Sequence, residues 1–251
     1  MRGRLQDRTA LVTGSTDGIG VAIANELAAE GARVIVSGRN TERGRGVVAS
    51  IVDKGGRAEF VAADLALGGT AIGQLADLAN AKADGRIDIL VNNAALLIEP
   101  SPTSEVSEEL IEAALSVNVK AAFLLTGLIA PSMVERGAGA IINVGSISGL
   151  FGMAGSALYS ATKAAIHSLT KSWAAEYGPA GVRVNAVAPG PTLTTRVEAW
   201  QDHLAPMIAA IPSRRASSPD EVARAVVFLA SEDASNIHGA ILSVDGGRAA
   251  V

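Results

Sequence analysis

Cysteine is absent from this sequence. That excludes thiol nucleophiles, disulfides, iron–sulfur clusters and Cys-ligated zinc, and it fits a reducing compartment. Histidine is scarce, at positions 167, 203 and 238, and no cluster of His, Asp and Glu has metal-ligand spacing, so no metal site is expected. Aromatic residues make up 3% of the chain, which leaves Tyr159 and Tyr177 as its only phenols. A basic excess is missing too, because 21 Lys and Arg face 25 Asp and Glu, for a formal charge of −4. Such a chain is a poor binder of nucleic acid or anionic membranes. Residues 1–4 are basic, but Leu5-Gln6-Asp7-Arg8 follows them in place of an apolar signal core. The strongest apolar helical stretch, 121–134, is short of the ~20 residues a spanning helix needs, and Pro131 interrupts it. These absences predict a cytoplasmic protein with neither nucleic-acid nor membrane partners.

What is present is a rhythm of short apolar runs and longer helical patterns. The runs 9–13, 33–37, 58–62, 87–92, 140–144, 182–188 and 240–244 read as strands. Helical spacing fills 19–30, 41–54, 70–83, 104–115, 119–136, 156–177 and 218–231. Continuous Val/Ile/Leu strands alternating with helices predict an α/β fold, a doubly wound parallel sheet of about seven strands covered on both faces. No linker or fixed repeat divides the 251 residues, so a single domain over 1–251 is expected. The long connection 191–212, within a substrate loop of about 191–217, interrupts the rhythm and reads as a lid or, more plainly, as a surface excursion.

Two segments carry chemistry. Thr13-Gly14-Ser15-Thr16-Asp17-Gly18-Ile19-Gly20 joins the first strand to the first helix. Its glycines allow a tight turn, close ligand approach and a helix start that presents free N–H groups to a pyrophosphate. A simple reversing turn would look alike, but the position after the first strand favours a ligand at the strands' carboxyl ends. The second strand ends in Ser37-Gly38-Arg39-Asn40. No carboxylate stands there to take both ribose hydroxyls of NAD, and Arg39 can face a 2′-phosphate. That favours NADP(H) as cofactor, with NAD(H) as the alternative; Asp17 in the glycine loop argues mildly for the latter. In Tyr159-Ser160-Ala161-Thr162-Lys163, the i and i+4 residues share a helix face. An ammonium beside a phenol is expected to lower the tyrosine's pKa from about 10 and fit it for proton transfer. Ser146, after the fifth strand, could hold a carbonyl beside it.

With these motifs in order, the chain resembles the short-chain dehydrogenase/reductase family, in its compact branch. The likeness runs from Thr9 to Gly247 and includes Thr13-Gly14-x-x-x-Gly18-Ile19-Gly20, Asp64-Leu65 and Asn92-Asn93-Ala94-Ala95. It continues through Ser116-Val117-Asn118, the Ser146, Tyr159 and Lys163 trio, Asn185-Ala186-Val187-Ala188-Pro189-Gly190 with Thr192 and Thr194, and Asp245-Gly246-Gly247. The resemblance implies a Rossmann-type fold and hydride transfer between the nicotinamide and a small carbonyl or secondary alcohol. It implies Tyr159 as general acid or base, Lys163 on the nicotinamide ribose, Ser146 on the carbonyl, and Asn118 holding a proton-relaying water. Gly14, Ser15, Thr16, Gly18, Ile19, Gly20, Arg39, Asn40, Asp64, Leu65, Asn92, Ala94, Pro189, Gly190, Thr192 and Thr194 would contact the cofactor, together with Tyr159 and Lys163. It also implies a homo-oligomer, a dimer or tetramer, through the helices of 104–136 and 156–177 and the last helix and strand.

Two positions depart from the family pattern: Ala95 stands where Gly is usual, and His238 where Thr is usual. His238 reads as structural or a subunit contact, His167 as packing, and His203 as a loop residue within reach of substrate. Leu96, Leu97, Ser148, Leu150, Met153, Pro191, Trp200 and Met207 are the expected substrate wall, with Arg196, Arg214 and Arg215 as candidates to hold an anion. A non-catalytic dinucleotide-binding or regulatory protein, or a dehydratase or epimerase on this scaffold, stays open as an alternative.

Overall fold

A computed structural model describes residues 3–195 and 208–251. Its strands are β1 (Thr9–Val12), β2 (Arg33–Gly38), β3 (Arg57–Ala62), β4 (Ile89–Asn92), β5 (Gly139–Val144), β6 (Val182–Pro189) and β7 (Ile241–Val244). Its helices are α1 (Gly18–Ala29), α2 (Thr41–Asp53), α3 (Gly69–Lys82), α4 (Glu108–Leu115), α5 (Ala121–Arg136), α6 (Ala157–Tyr177) and α7 (Pro219–Ala230). The strands form one parallel sheet in the order β3-β2-β1-β4-β5-β6-β7. This is the expected Rossmann-type doubly wound sheet.

The unbroken apolar strands follow from burial on both faces, and period-two alternation sorts them. Ala10, Val12, Val34, Val36 and Val91 face one core with Ile23 and Leu27 of α1 and Val226 of α7. Leu11, Ile35 and Leu90 face the other with Leu75 of α3, Leu125 of α5 and Trp173 of α6. The strand order reverses between β1 and β4, and a crevice opens above their carboxyl ends there, as such sheets require.

One local expectation needs correction. The helices expected over 104–115 and 119–136 are fused, because the turn Ser116–Lys120 is a π-helical widening that carries α4 into α5 without a break. The resulting helix, Glu108–Arg136, has 29 residues and is long and apolar enough to cross a membrane by length and composition. Its Leu125, Ile129 and Met133 are nevertheless buried in the second core. Pro131 is accommodated within α5.

Polar side chains set the ends of the elements. Ser218 and Glu221 form a reciprocal capping box, with Pro219 at the first position of α7. At the other end of α7, buried Arg183 donates to the carbonyls of Leu229, Ala230, Ser231 and Ala234. The long excursion after β6 leaves and returns at one point. Leu193 N donates to Ser217 O, and Ser217 N donates to Pro191 O. Arg196, Trp200, His203 and Met207 lie outside the described residues.

Candidate active site

A cavity of about 480 Å³ lies over the crevice and collects residues from six strand ends, β1 to β6, and from the chain's last turn. Its first wall is the glycine loop. Gly14 and Gly18 adopt φ values of +63° and +53°, a region that side chains disfavour. A Cβ on Gly20 would lie 2.3 Å from the Gly14 carbonyl oxygen, so α1 packs against the loop only because that Cβ is missing. Asp17, at the N-cap of α1, makes no side-chain capping hydrogen bond, and no carboxylate sits in the helix's first turn. Its backbone N–H groups therefore suit an anionic ligand such as a pyrophosphate. Asn93 Nδ2 fixes the loop by donating to Thr13 O (2.8 Å) and Gly14 O (3.1 Å).

Gly14, Thr16, Gly18, Ile19 and Gly20 line the cavity, as do Arg39, Asn40, Asp64, Leu65, Ala94, Pro189, Gly190, Thr192 and Thr194. Ser15 does not. Its Oγ donates to Val12 O (2.7 Å) and accepts from Ser37 N (2.9 Å), which ties the loop to β2. Asn92 is also behind the wall, donating to Thr126 Oγ1 and Asn143 Oδ1 under the cavity floor. Arg39 is exposed on the lining, while Asn40 Oδ1 caps α2 by accepting from Arg43 N. Arg43 also lines the cavity and is bridged to Asp17 at 3.0 Å. Asp64 accepts from Ala66 N and shapes the turn after β3.

Ser146, Tyr159 and Lys163 meet on the opposite wall. Ser146 hydrogen-bonds the Tyr159 phenol. Lys163 Nζ lies 5.6 Å from the Tyr159 ring centroid and donates to Val144 O at 2.9 Å, tying α6 to the end of β5. The expected lowering of the tyrosine pKa is corrected here. Burial pushes the Tyr159 phenol up to about 12, opposed by its Ser146 hydrogen bond. Burial also pushes the Lys163 ammonium down to about 8. Desolvation disfavours both charged forms, and residue spacing carries no measure of that depth.

Asn118 sits in the π-helical turn, 3% exposed. Its side chain accepts from Leu96 N (2.6 Å) and donates to Leu96 O (3.1 Å) and Thr162 Oγ1 (3.2 Å), so it clamps the wall and does not line the cavity. His167, one turn past Lys163, is buried against Gly145 and Gly149, and burial lowers its basicity. Of the expected substrate wall, Leu96, Leu97, Ser148, Met153 and Pro191 line the cavity, whereas Leu150 does not and is exposed. Arg214 donates to the Ala209 carbonyl, and Arg215 pairs with Glu221 at 2.6 Å; both are away from the lining. The sequence reading missed Asn93, Arg43, Phe151 and Arg248, which do line it. The second Asn of Asn92-Asn93 was the available signal for Asn93, but nothing local pointed to Arg248.

The family profile described as enoyl-(acyl carrier protein) reductase matches residues 14–249. Cyclopentanol dehydrogenase of a Comamonas species is 39% identical over 253 residues, covering 99% of both chains. A solved short chain dehydrogenase/reductase family protein superposes with a TM-score of 0.90 at 43% identity, covering 99% of this chain and 100% of that one. A 3-oxoacyl (acyl-carrier-protein) reductase from Agrobacterium tumefaciens C58, solved with NADP bound, has a TM-score of 0.90 at 34% identity, covering 96% of this chain and 94% of that one. A sheet of this order, a glycine loop at its switch point and these near full-length matches place the chain in the short-chain dehydrogenase/reductase family of oxidoreductases.

Proposed function

We propose that this oxidoreductase interconverts a small carbonyl compound and a secondary alcohol with NADP(H), using Tyr159 as proton donor and acceptor. One observation carries the reading: Ser146, Tyr159 and Lys163 share a wall of the cavity whose other end is the glycine loop. The bound nicotinamide would supply or accept the hydride, and the protein supplies position and charge. Gly14 to Gly20 and the start of α1 would hold the pyrophosphate, with Thr192 and Thr194 toward the nicotinamide. Ser146 holds the reacting oxygen against the Tyr159 hydroxyl. In reduction the phenol donates its proton to that oxygen; in oxidation it receives it. Lys163 stabilises the phenolate left after donation. Asn118 keeps Leu96 and the catalytic helix in register, and any proton relay there engages its backbone, because the side-chain amide is occupied.

Preference for NADP(H) over NAD(H) rests on Arg39 at the end of β2, with no carboxylate between Ser37 and Asn40. The Agrobacterium relative, solved with NADP bound, supports a nicotinamide dinucleotide here. Replacing Arg39 by Ala should raise the Kd for NADPH about tenfold, roughly 1.4 kcal/mol, and leave that for NADH unchanged. Fluorescence titration with both nucleotides measures this. Wild-type protein that binds NADH several-fold tighter would overturn the preference.

We also propose that the chain is a homo-oligomer, dimer or tetramer, and that it works in the cytoplasm without nucleic-acid or membrane partners. Ile111, Leu115, Phe123 and Leu128 leave apolar surface exposed along the fused helix, and self-association would cover such surface. Sedimentation velocity should give at least twice the subunit mass, and a single-subunit mass would contradict the proposal.

A further inference from the structure

The turn after β7 is built to deliver one cation to the cavity. Gly246 and Gly247 take left-handed φ values of +64° and +92°. The Asp245 carboxylate accepts from Gly247 N (2.9 Å) and Ala249 N (2.7 Å), which fixes the backbone on either side of Arg248. Asp245 is itself packed against Gly190, where a Cβ would come within 2.8 Å of the aspartate Cβ. Arg248 thus reaches the cavity lining, and its guanidinium lies over the Phe151 ring at 5.0 Å from the centroid. Stacking on an aromatic face fixes the plane of a guanidinium and leaves its edge donors available. Among the described residues one side-chain hydrogen bond engages them, from Nη1 to an oxygen of Val251, the last residue of the sequence, at 3.0 Å.

Charge is arranged unevenly along the cavity. Its lining carboxylates, Asp17 and Asp64, belong to the glycine loop and the turn after β3, at the dinucleotide end. Lys163 is engaged with Val144 O in the catalytic wall. That leaves Arg248 as the cation facing the space beside Phe151 and Met153. The remaining lining there is mostly apolar, so the guanidinium donors that Val251 leaves open are the groups suited to an anion.

We propose that Arg248 reads a carboxylate on the substrate, so that the enzyme acts on a hydroxy or oxo acid with an apolar frame between the reacting carbon and the acid group. This rests on the reading of the cavity as a dinucleotide-dependent carbonyl and alcohol site. The carboxylate takes the guanidinium edge, the apolar frame lies against Phe151 and Met153, and the reacting oxygen reaches Ser146 and Tyr159. The sequence candidates for this task, Arg214 and Arg215, are engaged elsewhere.

The test uses the full chain saturated with NADPH and two probes of equal shape, cyclohexanecarboxylate and cyclohexanecarboxamide, titrated calorimetrically. The carboxylate should bind at least about tenfold tighter. Arg248→Gln should bind the two alike, Arg248→Lys should keep part of the preference, and the Kd for NADPH should be unchanged in both variants. Equal affinity in the wild type, no binding of the carboxylate, or a preference that survives Arg248→Gln overturns the proposal. A raised Kd for NADPH in Arg248→Gln also overturns it, by assigning the residue to the dinucleotide. Wild-type protein that fails to bind NADPH at all sinks the underlying reading of the cavity instead.

Discussion

Replacing Tyr159 by Phe should lower kcat for carbonyl reduction by about a thousandfold while the Kd for NADPH stays within twofold of wild type. The substitution removes one oxygen. The ring that packs beside Lys163 is kept, and so are the helix register and the cavity shape, so the loss isolates proton donation. The ground state is already suited to reduction, because burial holds the phenol neutral, up to about 12. No prior ionisation has to be reversed before the proton moves to the substrate oxygen. Stopped-flow loss of reduced-nicotinamide absorbance at saturating substrate measures the step. Unchanged turnover would remove Tyr159 from the chemistry and leave the cavity without a proton donor of suitable reach.

Lys163→Met should cost about a hundredfold in kcat, and the more informative change should be in the pH profile. At 5.6 Å from the Tyr159 ring, a unit charge is worth about 3 kcal/mol to a phenolate at an effective dielectric of about 20. With an ammonium whose pKa is pushed down to about 8, wild-type reduction should be flat through neutral pH and fall above about pH 8, where Lys163 loses its proton. Oxidation needs the phenolate, and a phenol held near 12 gains it about tenfold per pH unit, so the oxidation rate should climb with pH through the neutral range. In Lys163→Met the alkaline fall of reduction should vanish while the climb in oxidation remains at a lower level. A purely structural lysine would lower both rates without removing that limb.

Much of the fold was legible because burial on both sheet faces forces runs such as Val34-Ile35-Val36, which few other environments tolerate. The glycine loop was legible because positive φ at Gly14 and Gly18 restricts the residue type. The i, i+4 spacing of Tyr159 and Lys163 placed them on one face, and Ser146, expected beside them, reaches Tyr159 from the end of β5. What spacing could not give was depth. The direction of the Tyr159 shift depends on how dry the pocket is, and that is set by segments far apart in the chain. Fusion of α4 into α5 was hidden for a related reason. Ser116-Val117-Asn118 lacks good helix formers, and the widened turn is held from outside, by Leu96 and Thr162 bonding to Asn118. Arg248 was missed because only the β7 turn, closed by Asp245, carries it back over the crevice.

The Asn118 clamp also constrains how this scaffold can change. One amide grips both backbone groups of Leu96 and the Thr162 hydroxyl, and Thr162 in turn donates to the carbonyl of Tyr159. The cavity wall at Leu96 is therefore mechanically coupled to Tyr159. A bulkier ligand that displaced Leu96 would also misalign the phenol. New ligand shapes are more readily accommodated by remodelling the rim, at Phe151, Met153 and the terminal turn, where no such linkage to Tyr159 exists among the described hydrogen bonds. Diversification of this enzyme should thus concentrate at the periphery, with the centre held as a fixed reference.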